Sequence, residues 1–223
     1  MKGKFITFEG GEGTGKSTQA AMLALRLESL GLGVTLTREP GGSPGAEIIR
    51  HVLLSGAAKP FGPEAEAMLF AAARDDHIRC TIQPALDAGK WVICDRFVDS
   101  TRVYQGVLGD VDQRFIKALE RVSVGDLRPD LTIVLDVPVK VGLRRAAGRR
   151  RGKDPDRFEA ETIDFHEKLR AAYLALAKTE PDRFVVVDAG AQKKMVAKHI
   201  WQAVNARLKP PTPKAPVEQA AAS

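Results

Sequence analysis

The amino-acid sequence predicts a three-layer α/β/α domain, in which helices cover both faces of a five-stranded parallel sheet. Five short runs rich in valine, isoleucine or phenylalanine are continuously apolar, as expected for strands buried on both faces. Helix-like stretches separate these runs, and such alternation favours parallel strands joined by crossover helices. The predicted strands are residues 5–8, 34–37, 91–94, 131–137 and 184–187.

The predicted helices occupy the intervals between those strands. Residues 17–30 end at Gly31, and the alanine-rich stretch 63–88 ends at Gly89. Glycine commonly terminates helices, which supports both boundaries. The other helices are predicted over residues 112–122, 139–151, 159–178 and 192–208.

Length and composition indicate a single domain followed by a tail. The chain has 223 residues, 44% of them hydrophobic, which suffices for one core, and we expect the domain to span residues 1–208. Residues 209–223 contain four prolines and three consecutive alanines, so we expect them to be disordered. No apolar run reaches the roughly 18 residues that a membrane span requires. Without a signal sequence at residues 1–5, we expect a cytoplasmic protein.

The cysteines, the histidines and the net charge say less about function than the composition says about the fold. Cys80 and Cys94 lack metal-ligand spacing, the four histidines are scattered, and Cys94 is expected to be buried in its strand. Part of the net charge of +6 is concentrated in one basic segment, which could bind nucleic acid or the phosphates of a small ligand. Its members are Arg144, Arg145, Arg149, Arg150, Arg151 and Lys153.

The strongest motif lies between the first strand and the first helix. Residues 10–17 fit the phosphate-loop pattern G-x-x-x-x-G-K-[ST] in the strand-to-helix context that it requires. Glycines let backbone N–H groups surround phosphate oxygens, Lys16 would neutralise the β- and γ-phosphates, and the Ser17 hydroxyl would ligate Mg²⁺. The predicted ATP-binding residues of the loop are Gly10, Gly11, Glu12, Gly13, Thr14, Gly15, Lys16, Ser17 and Thr18.

Several classes of phosphate-loop protein can be compared with the sequence. A GTPase would carry N-K-x-D, but the only asparagine, Asn205, precedes Ala206. The segment 54–58 is a poor match to the signature loop of ABC-type ATPases. A small-molecule kinase is therefore favoured. A kinase of another nucleotide or nucleoside, and a nucleic-acid-binding ATPase that uses the basic segment, remain alternatives.

Seven separated segments, in this order and spacing, resemble the bacterial thymidylate kinases from about residue 3 to residue 205. They are residues 9–18, 37–42, 69–74, 95–96, 104–106, 128–132 and 156–159. The resemblance implies a P-loop NTPase-like fold and transfer of the γ-phosphoryl of ATP to dTMP, with Mg²⁺ as cofactor. It also implies a homodimer formed by helix packing, to which helices 63–88 and 112–122 are plausible contributors, and small-molecule substrates rather than a nucleic acid or a membrane as partners.

The resemblance assigns roles around the base and sugar of dTMP. Phe70 is expected to stack on thymine, and Arg74, four residues later on the same helical face, to reach the edge of the base. Composition alone would make Phe70 a core residue. Ser100 and Thr101 resemble residues that hydrogen-bond thymine. The remaining assignments are Tyr104 as a wall against a ribose 2′-hydroxyl, Gln105 as a substrate contact and Glu12 beside the 3′-hydroxyl.

Further assignments concern the phosphates. Arg96 follows the third strand, where open α/β sheets place ligands, and resembles a clamp on the acceptor phosphate. Asp95 resembles a carboxylate near Mg²⁺, and Arg50 a second contact to the acceptor phosphate. The bond before Pro40 is expected to be cis, as in the family.

A basic lid over about residues 144–158 is expected to supply the remaining positive charge. Some thymidylate kinases carry an arginine in the phosphate loop, where this chain has Gly13. The chain therefore resembles the type in which a lid arginine serves, and we expect Arg157 to contact the transferred phosphoryl. Arg149, Arg150 and Arg151 are alternatives for this contact, and Arg149 is otherwise assigned to ATP, flanking the adenine. Lys16, Arg157, Arg96 and Glu12 are the predicted catalytic residues.

Overall fold

The computed structural model describes residues 3–150 and 157–211, and its centre is a parallel five-stranded sheet. The strand order is β2-β3-β1-β4-β5, so the first strand lies in the middle. All five predicted strands are confirmed within two residues. They are β1 Phe5–Glu9, β2 Val34–Arg38, β3 Trp91–Asp95, β4 Leu131–Asp136 and β5 Phe184–Asp188.

The prediction that every strand is covered on both faces is wrong for the two edge strands. β1, β3 and β4 are almost completely buried, whereas Leu36 of β2 and Val186 of β5 are 48% and 46% exposed. An edge strand has a neighbour on one side only, and the covering helices are centred over the middle of the sheet. Continuous apolarity therefore did not distinguish edge strands from central strands.

Nine α-helices lie in the described residues. All six predicted helices are confirmed, and the stretch predicted at 63–88 is α3 and α4 joined through the π-helical turn Ile78–Ile82. The helices are α1 Lys16–Glu28, α2 Pro44–Leu54, α3 Gly62–His77, α4 Gln83–Asp87, α5 Val98–Thr101, α6 Gln113–Val124, α7 Val139–Arg150, α8 Ile163–Thr179 and α9 Lys193–Leu208. Every helix within residues 3–150 and 157–211 is too short or too polar to span a bilayer.

Two helical segments had no counterpart among the helices predicted between the strands. One is α2, and the other is α5 with the π-helical turn Arg102–Leu108 that follows it. The second segment contains three valines, a threonine and Gly106, which are weak helix formers. Its helical form depends on tertiary burial, because Val98, Thr101 and Val103 are at most 4% exposed.

The core occupies both faces of the sheet, as the three-layer prediction requires. On one face, side chains of β1, β3 and β4 such as Phe8 and Ile133 pack against α1 and α9. On the other face, Phe5 and Cys94 pack against α4 and α5, and Val134 packs against α8. The predicted burial of Cys94 is confirmed, whereas Cys80 is exposed. Both faces are thus closed, and the carboxyl ends of the strands remain available for a site.

The predicted lid and tail fall only partly within the described residues. Residues 151–156 of the lid and 212–223 of the tail lie outside them. At the beginning of the predicted tail, Pro210 is buried between α1 and α9 in a groove that Trp201 also lines.

Candidate active site

The phosphate loop follows β1 and ends at α1, as the motif predicted. Gly10, Gly13 and Gly15 have φ angles of 132°, 68° and 97°, which favour glycine. Lys16 Nζ donates to the carbonyl oxygens of Gly10 and Gly11 at 2.9 and 2.7 Å. Burial, together with the charge of Arg96, lowers the pKa of Lys16 to about 8. The ammonium group is thus held inside the loop, where phosphate oxygens would bring negative charge.

Helix α7 lies directly against the phosphate loop. A Cβ atom on Gly13 would lie 1.9 Å from the carbonyl oxygen of Gly142, and a Cβ on Gly142 would lie 2.5 Å from the carbonyl oxygen of Glu12. Both distances are far below van der Waals contact. Position 13 therefore has no room for a side chain such as arginine, and positive charge near the phosphates beyond that of Lys16 must come from other elements.

The first turn of α1 and the end of β3 supply oxygen ligands suited to Mg²⁺. Ser17 Oγ donates to Asp95 Oδ2 at 2.5 Å. Ser17 and Thr18 are both exposed at the start of the helix, and Ser17 lines the cleft above the loop. Within the described residues, histidine, cysteine and acidic side chains form no group of three or more that could hold a metal ion. Mg²⁺ is commonly bound by one or two protein oxygens together with substrate phosphates, so this donor pair fits it.

Arg96 connects β3 to the phosphate loop. Its φ of 71° is unusual for a residue other than glycine, and such strain is often found at functional sites. The guanidinium donates to Glu12 Oε1 at 2.5 Å and to the Gly10 carbonyl oxygen at 3.2 Å. Tyr104 Oη also donates to Glu12 Oε1, at 3.0 Å. Burial alone would raise the pKa of Glu12, but the charges of Arg96 and Lys16 lower it to about 2.

A cleft of about 700 Å³ opens above the phosphate loop. It brings together the predicted Lys16, Ser17, Asp95, Arg96, Arg50 and Arg149, and it adds Arg38, which sequence reasoning had not selected. Arg38 Nη2 donates to Glu47 Oε1 at 2.9 Å. Arg38 lies in the segment 37–42 on which the family resemblance partly rested, and that was the available signal. The cleft is therefore lined by four guanidinium groups and one ammonium group.

A second cavity of about 370 Å³ adjoins the first and collects seven of the nine residues assigned to dTMP, whereas Glu12 and Arg50 line the first cleft. Glu39, Pro40 and Arg96 line both cavities. The peptide bond before Pro40 is cis, as expected from the resemblance. The complete lining is Glu39, Pro40, Phe70, Arg74, Arg96, Phe97, Ser100, Thr101, Tyr104, Gln105 and Phe158. Phe158 had no assigned role in the sequence, although its segment was part of the resemblance.

Buried polar contacts fix the floor of the second cavity. Arg74 is 2% exposed, and its guanidinium donates to Glu39 Oε2 at 2.8 Å and to Thr101 Oγ1 at 3.1 Å. His77 Nδ1 lies 3.1 Å from the other Glu39 oxygen, Oε1. Arg74 is therefore oriented by its neighbours before any ligand binds. Sequence reasoning missed Glu39 and His77, because their pairing joins the residue after β2 to the end of α3 across 38 positions.

Glu9 is a further residue that sequence reasoning missed. It ends β1 and is completely buried, and its carboxyl group accepts hydrogen bonds from Phe97 N at 2.8 Å, Ser100 Oγ at 2.7 Å and Tyr173 Oη at 2.9 Å. Burial, together with the negative charge of nearby Asp99, raises its pKa to about 7. Glu9 therefore links the start of the phosphate loop to Phe97 and Ser100, which line the second cavity.

The structure does not bring Arg157 to the phosphate cleft. Its Nη1 donates to Glu66 of α3, and its guanidinium lies 4.8 Å from the centroid of the Phe158 ring. The Phe158 ring packs in turn against Tyr104 and Phe70, with centroids 5.2 and 6.3 Å apart. Arg157 is thus beside the second cavity, whereas Arg149 lines the first.

The fold and the two adjoining cavities, joined at Arg96, define a phosphate-loop kinase of the nucleoside monophosphate class. The family model described as thymidylate kinase matches residues 8–200. A curated thymidylate kinase from Nitrobacter winogradskyi is 61% identical over 207 residues, covering 93% of this chain and 90% of that protein. One from Bradyrhizobium sp. is also 61% identical, with 93% and 92% covered. The chain therefore belongs to the thymidylate kinase family.

A solved structure supports the same assignment. The crystal structure of thymidylate kinase from Ehrlichia chaffeensis superposes with a TM-score of 0.74 at 30% sequence identity. The match covers 92% of this chain and all of the other chain. The predicted α/β fold with a five-stranded parallel sheet is thereby confirmed.

Proposed function

We propose that the protein transfers the γ-phosphoryl group of Mg·ATP to thymidine monophosphate, giving thymidine diphosphate. The observation that carries the proposal is the position of Arg96. It lines both the first cavity, which we call the phosphate cleft, and the second cavity, which we call the nucleoside pocket. Donor phosphates in the first cavity and an acceptor phosphate at the boundary between the two cavities would meet at this guanidinium, with Arg50 on the side of the first cavity. Phosphoryl transfer depends mainly on such alignment and on positive charge, rather than on covalent help from the protein.

On the donor side, the phosphate loop would bind the β- and γ-phosphates. Lys16 Nζ would exchange the carbonyl oxygens of Gly10 and Gly11 for phosphate oxygens, which carry more negative charge. Ser17 and Asp95 would hold Mg²⁺, which neutralises charge on the phosphates when it is bound. Arg149 would approach ATP from the end of α7, because it lines the same cleft.

On the acceptor side, the pocket would hold dTMP by its base, sugar and phosphate. Phe70 would stack on thymine, while Arg74, Ser100, Thr101 and Gln105 would provide polar contacts around the ring. Glu12 would accept a hydrogen bond from the 3′-hydroxyl, because its low pKa keeps it ionised. Arg96 and Arg50 would grip the acceptor phosphate. That phosphate is already an oxyanion, so transfer requires no strong general base.

Lid closure would complete the site. Arg157 is proposed to leave Glu66 and contact the transferred phosphoryl, which adds charge where it develops in the transition state. In this proposal the basic segment near residue 150 acts on phosphates of the nucleotide. Closure would also exclude water, so that ATP is not simply hydrolysed.

A steady-state assay tests the proposal. Purified protein with Mg·ATP should phosphorylate thymidine monophosphate in preference to cytidine, adenosine and guanosine monophosphates, with deoxyuridine monophosphate as the nearest competitor. Lys16→Ala should lower kcat by about two to three orders of magnitude, because a donor to the transition-state charge is lost. Circular dichroism of the variant should be unchanged. Preference for an acceptor outside the thymidine and deoxyuridine pair would contradict the proposal.

We also propose that the protein is a homodimer. Exposed apolar side chains occur on α2, α3 and α6, and α3 packs against both other helices. Ile48, Met68 and Val122 are 71%, 49% and 79% exposed. Large apolar side chains that are exposed together commonly mark protein interfaces. α3 and α6 correspond to the predicted helices 63–88 and 112–122 that the sequence analysis named as contributors to the interface. α2 is added here because of its exposed apolar side chains.

A further inference from the structure

Glu66 is a buried carboxylate whose charge is balanced by one residue. Its side chain is 3% exposed, and among residues 3–150 and 157–211 its ion-pair partner is Arg157. A buried carboxylate that loses its partner strongly destabilises a protein, unlike a carboxylate in a surface pair. Departure of Arg157 therefore costs free energy, because it leaves Glu66 as a buried charge without a partner of opposite sign.

The contact is nevertheless incomplete from the side of the arginine. One N–H group, Nη1, donates to Glu66 Oε1. The Nε atom of Arg157 is buried and has no hydrogen-bond partner in the part of the chain that the structure describes. A guanidinium that forms the two parallel bonds of a bidentate pair is bound more strongly. Arg157 is thus held well enough to be positioned, but a more highly charged anion would compete for it.

The same segment forms a wall of the nucleoside pocket. Phe158 follows Arg157, and its ring packs edge-on against Tyr104 and near Phe70. Phe158 lines the pocket in which the acceptor would lie. Movement of Arg157 away from Glu66 would therefore move a pocket wall, and the position of the guanidinium is coupled to the acceptor side.

We propose that Glu66 is a positioning residue that acts through Arg157. It holds the guanidinium beside the nucleoside pocket until nucleotide phosphates compete for it, and it thereby limits transfer of the phosphoryl group to water. The inference rests on the catalytic role proposed for Arg157. Because Glu66 sets how readily Arg157 departs, removing its charge should increase the fraction of molecules with Arg157 at the phosphates.

Glu66→Gln tests the proposal, because it preserves the shape of the side chain and removes its charge. We expect hydrolysis of ATP without acceptor to rise about five- to tenfold and KM for ATP to fall by a similar factor, in proportion to the competent fraction. In an Arg157→Gln background, Glu66→Gln should change neither quantity. Glu64→Gln is the matched control, since Glu64 is exposed on the same helix. This substitution should leave both ATP hydrolysis and KM for ATP unchanged.

A measurement on the unmodified protein keeps the test independent of how well the variant folds. The Arg157 Nε–H resonance, assigned by its loss in Arg157→Lys, should shift when dTMP and a non-hydrolysable ATP analogue bind together, and dTMP alone should shift it less. The proposal is overturned if this resonance does not move. It is also overturned if Glu66→Gln leaves ATP hydrolysis unchanged or lowers it, or if the substitution only raises KM for dTMP. Any of these results would mean that Arg157 stays at its position beside Glu66 and has only a structural role there. Failure of the proposed function itself would appear separately, as absence of dTMP phosphorylation by the unmodified protein.

Discussion

At the scale of single residues, the site is organised by charges that balance each other in a buried space. Glu12 is ionised because Arg96 and Lys16 lie beside it, and Arg96 is held because Glu12 and the loop carbonyl of Gly10 accept its hydrogen bonds. Removing any one of these groups would leave the others with uncompensated charge. Substitutions at neutral residues of the site are therefore easier to interpret.

Phe70 is such a residue, and Phe70→Ala should raise KM for dTMP. Loss of base stacking, at about 1–3 kcal/mol per base, corresponds to a roughly 5- to 150-fold increase. KM for ATP is the internal control and should remain within about twofold, because Phe70 does not line the phosphate cleft. Steady-state kinetics with each substrate varied in turn would measure both. An unchanged KM for dTMP would remove Phe70 from the base site.

Glu9 should make the free energy of unfolding depend on pH. Its pKa is about 7 in the folded protein against an ordinary value of 4.5, so the folded state retains a proton that the unfolded state releases. The stabilisation is complete below pH 4.5 and is lost as pH rises through about 7. The expected loss within this window is about 1.4 kcal/mol per pH unit.

Glu9→Gln should remove this dependence, because an amide resembles the protonated carboxyl group. It retains an oxygen for Phe97 N–H and presents N–H groups to Ser100 and Tyr173. Urea unfolding at pH 5, 6 and 7 should show the gap between the variant and the unmodified protein shifting in favour of the variant as pH rises. A constant gap would show that Glu9 does not titrate in this range.

At the scale of elements, the contact between α7 and the phosphate loop has a direct consequence. The helix approaches the loop backbone at glycines on both sides, so the loop is supported by main-chain atoms that cannot rotate away. The same helix carries Arg149 to the phosphate cleft. The position of the loop and the position of this arginine are therefore set together.

Gly142→Ala should disturb that contact. The added methyl group would lie 2.5 Å from the Glu12 carbonyl oxygen, and the resulting shift should lower the free energy of unfolding by about 1–3 kcal/mol and raise KM for ATP. Gly148→Ala is the matched control on the same helix. Among the described residues, and apart from its chain neighbours and the backbone of its own helix, no atom lies within 4 Å of the added methyl group. Alanine favours helix by up to about 1 kcal/mol, so stability should rise or stay constant. Equal effects of both substitutions on thermal unfolding would argue against the contact.

At the scale of the whole molecule, the two faces of the sheet differ in their outer surfaces. The face covered by α1 and α9 has isolated exposed apolar residues such as Leu25, whereas α2, α3 and α6 expose several on neighbouring helices. We therefore expect a subunit interface to form on the second group, whose exposed apolar side chains lie on helices that pack against each other.

Ile48→Glu should therefore convert the proposed dimer to a monomer, because it places a charge in an apolar interface. Light scattering coupled to size-exclusion chromatography would measure the molar mass. Leu25→Glu is the control, since Leu25 is 67% exposed on α1, close to the 71% of Ile48, and should leave the molar mass unchanged. A monomeric unmodified protein would contradict the dimer.

The sequence by itself determined the elements and the site that depend on local pattern. Apolar runs and glycine stops located all five strands and six helices, and the spacing of glycines with Lys16 located the phosphate loop. The family resemblance gathered Phe70, Arg74, Arg96 and Tyr104, and the structure places them around shared cavities. Local pattern suffices here because a phosphate loop is built from consecutive residues.

Only the tertiary structure decided which elements meet. It placed β2 and β5 at the edges, made residues 98–108 helical by burial, paired Glu39 with His77, and brought Gly142 against the phosphate loop. It also placed Arg157 on Glu66 and Arg149 at the phosphate cleft. These contacts join residues tens of positions apart, and their energies come from burial and charge pairing that exist only when the chain has folded.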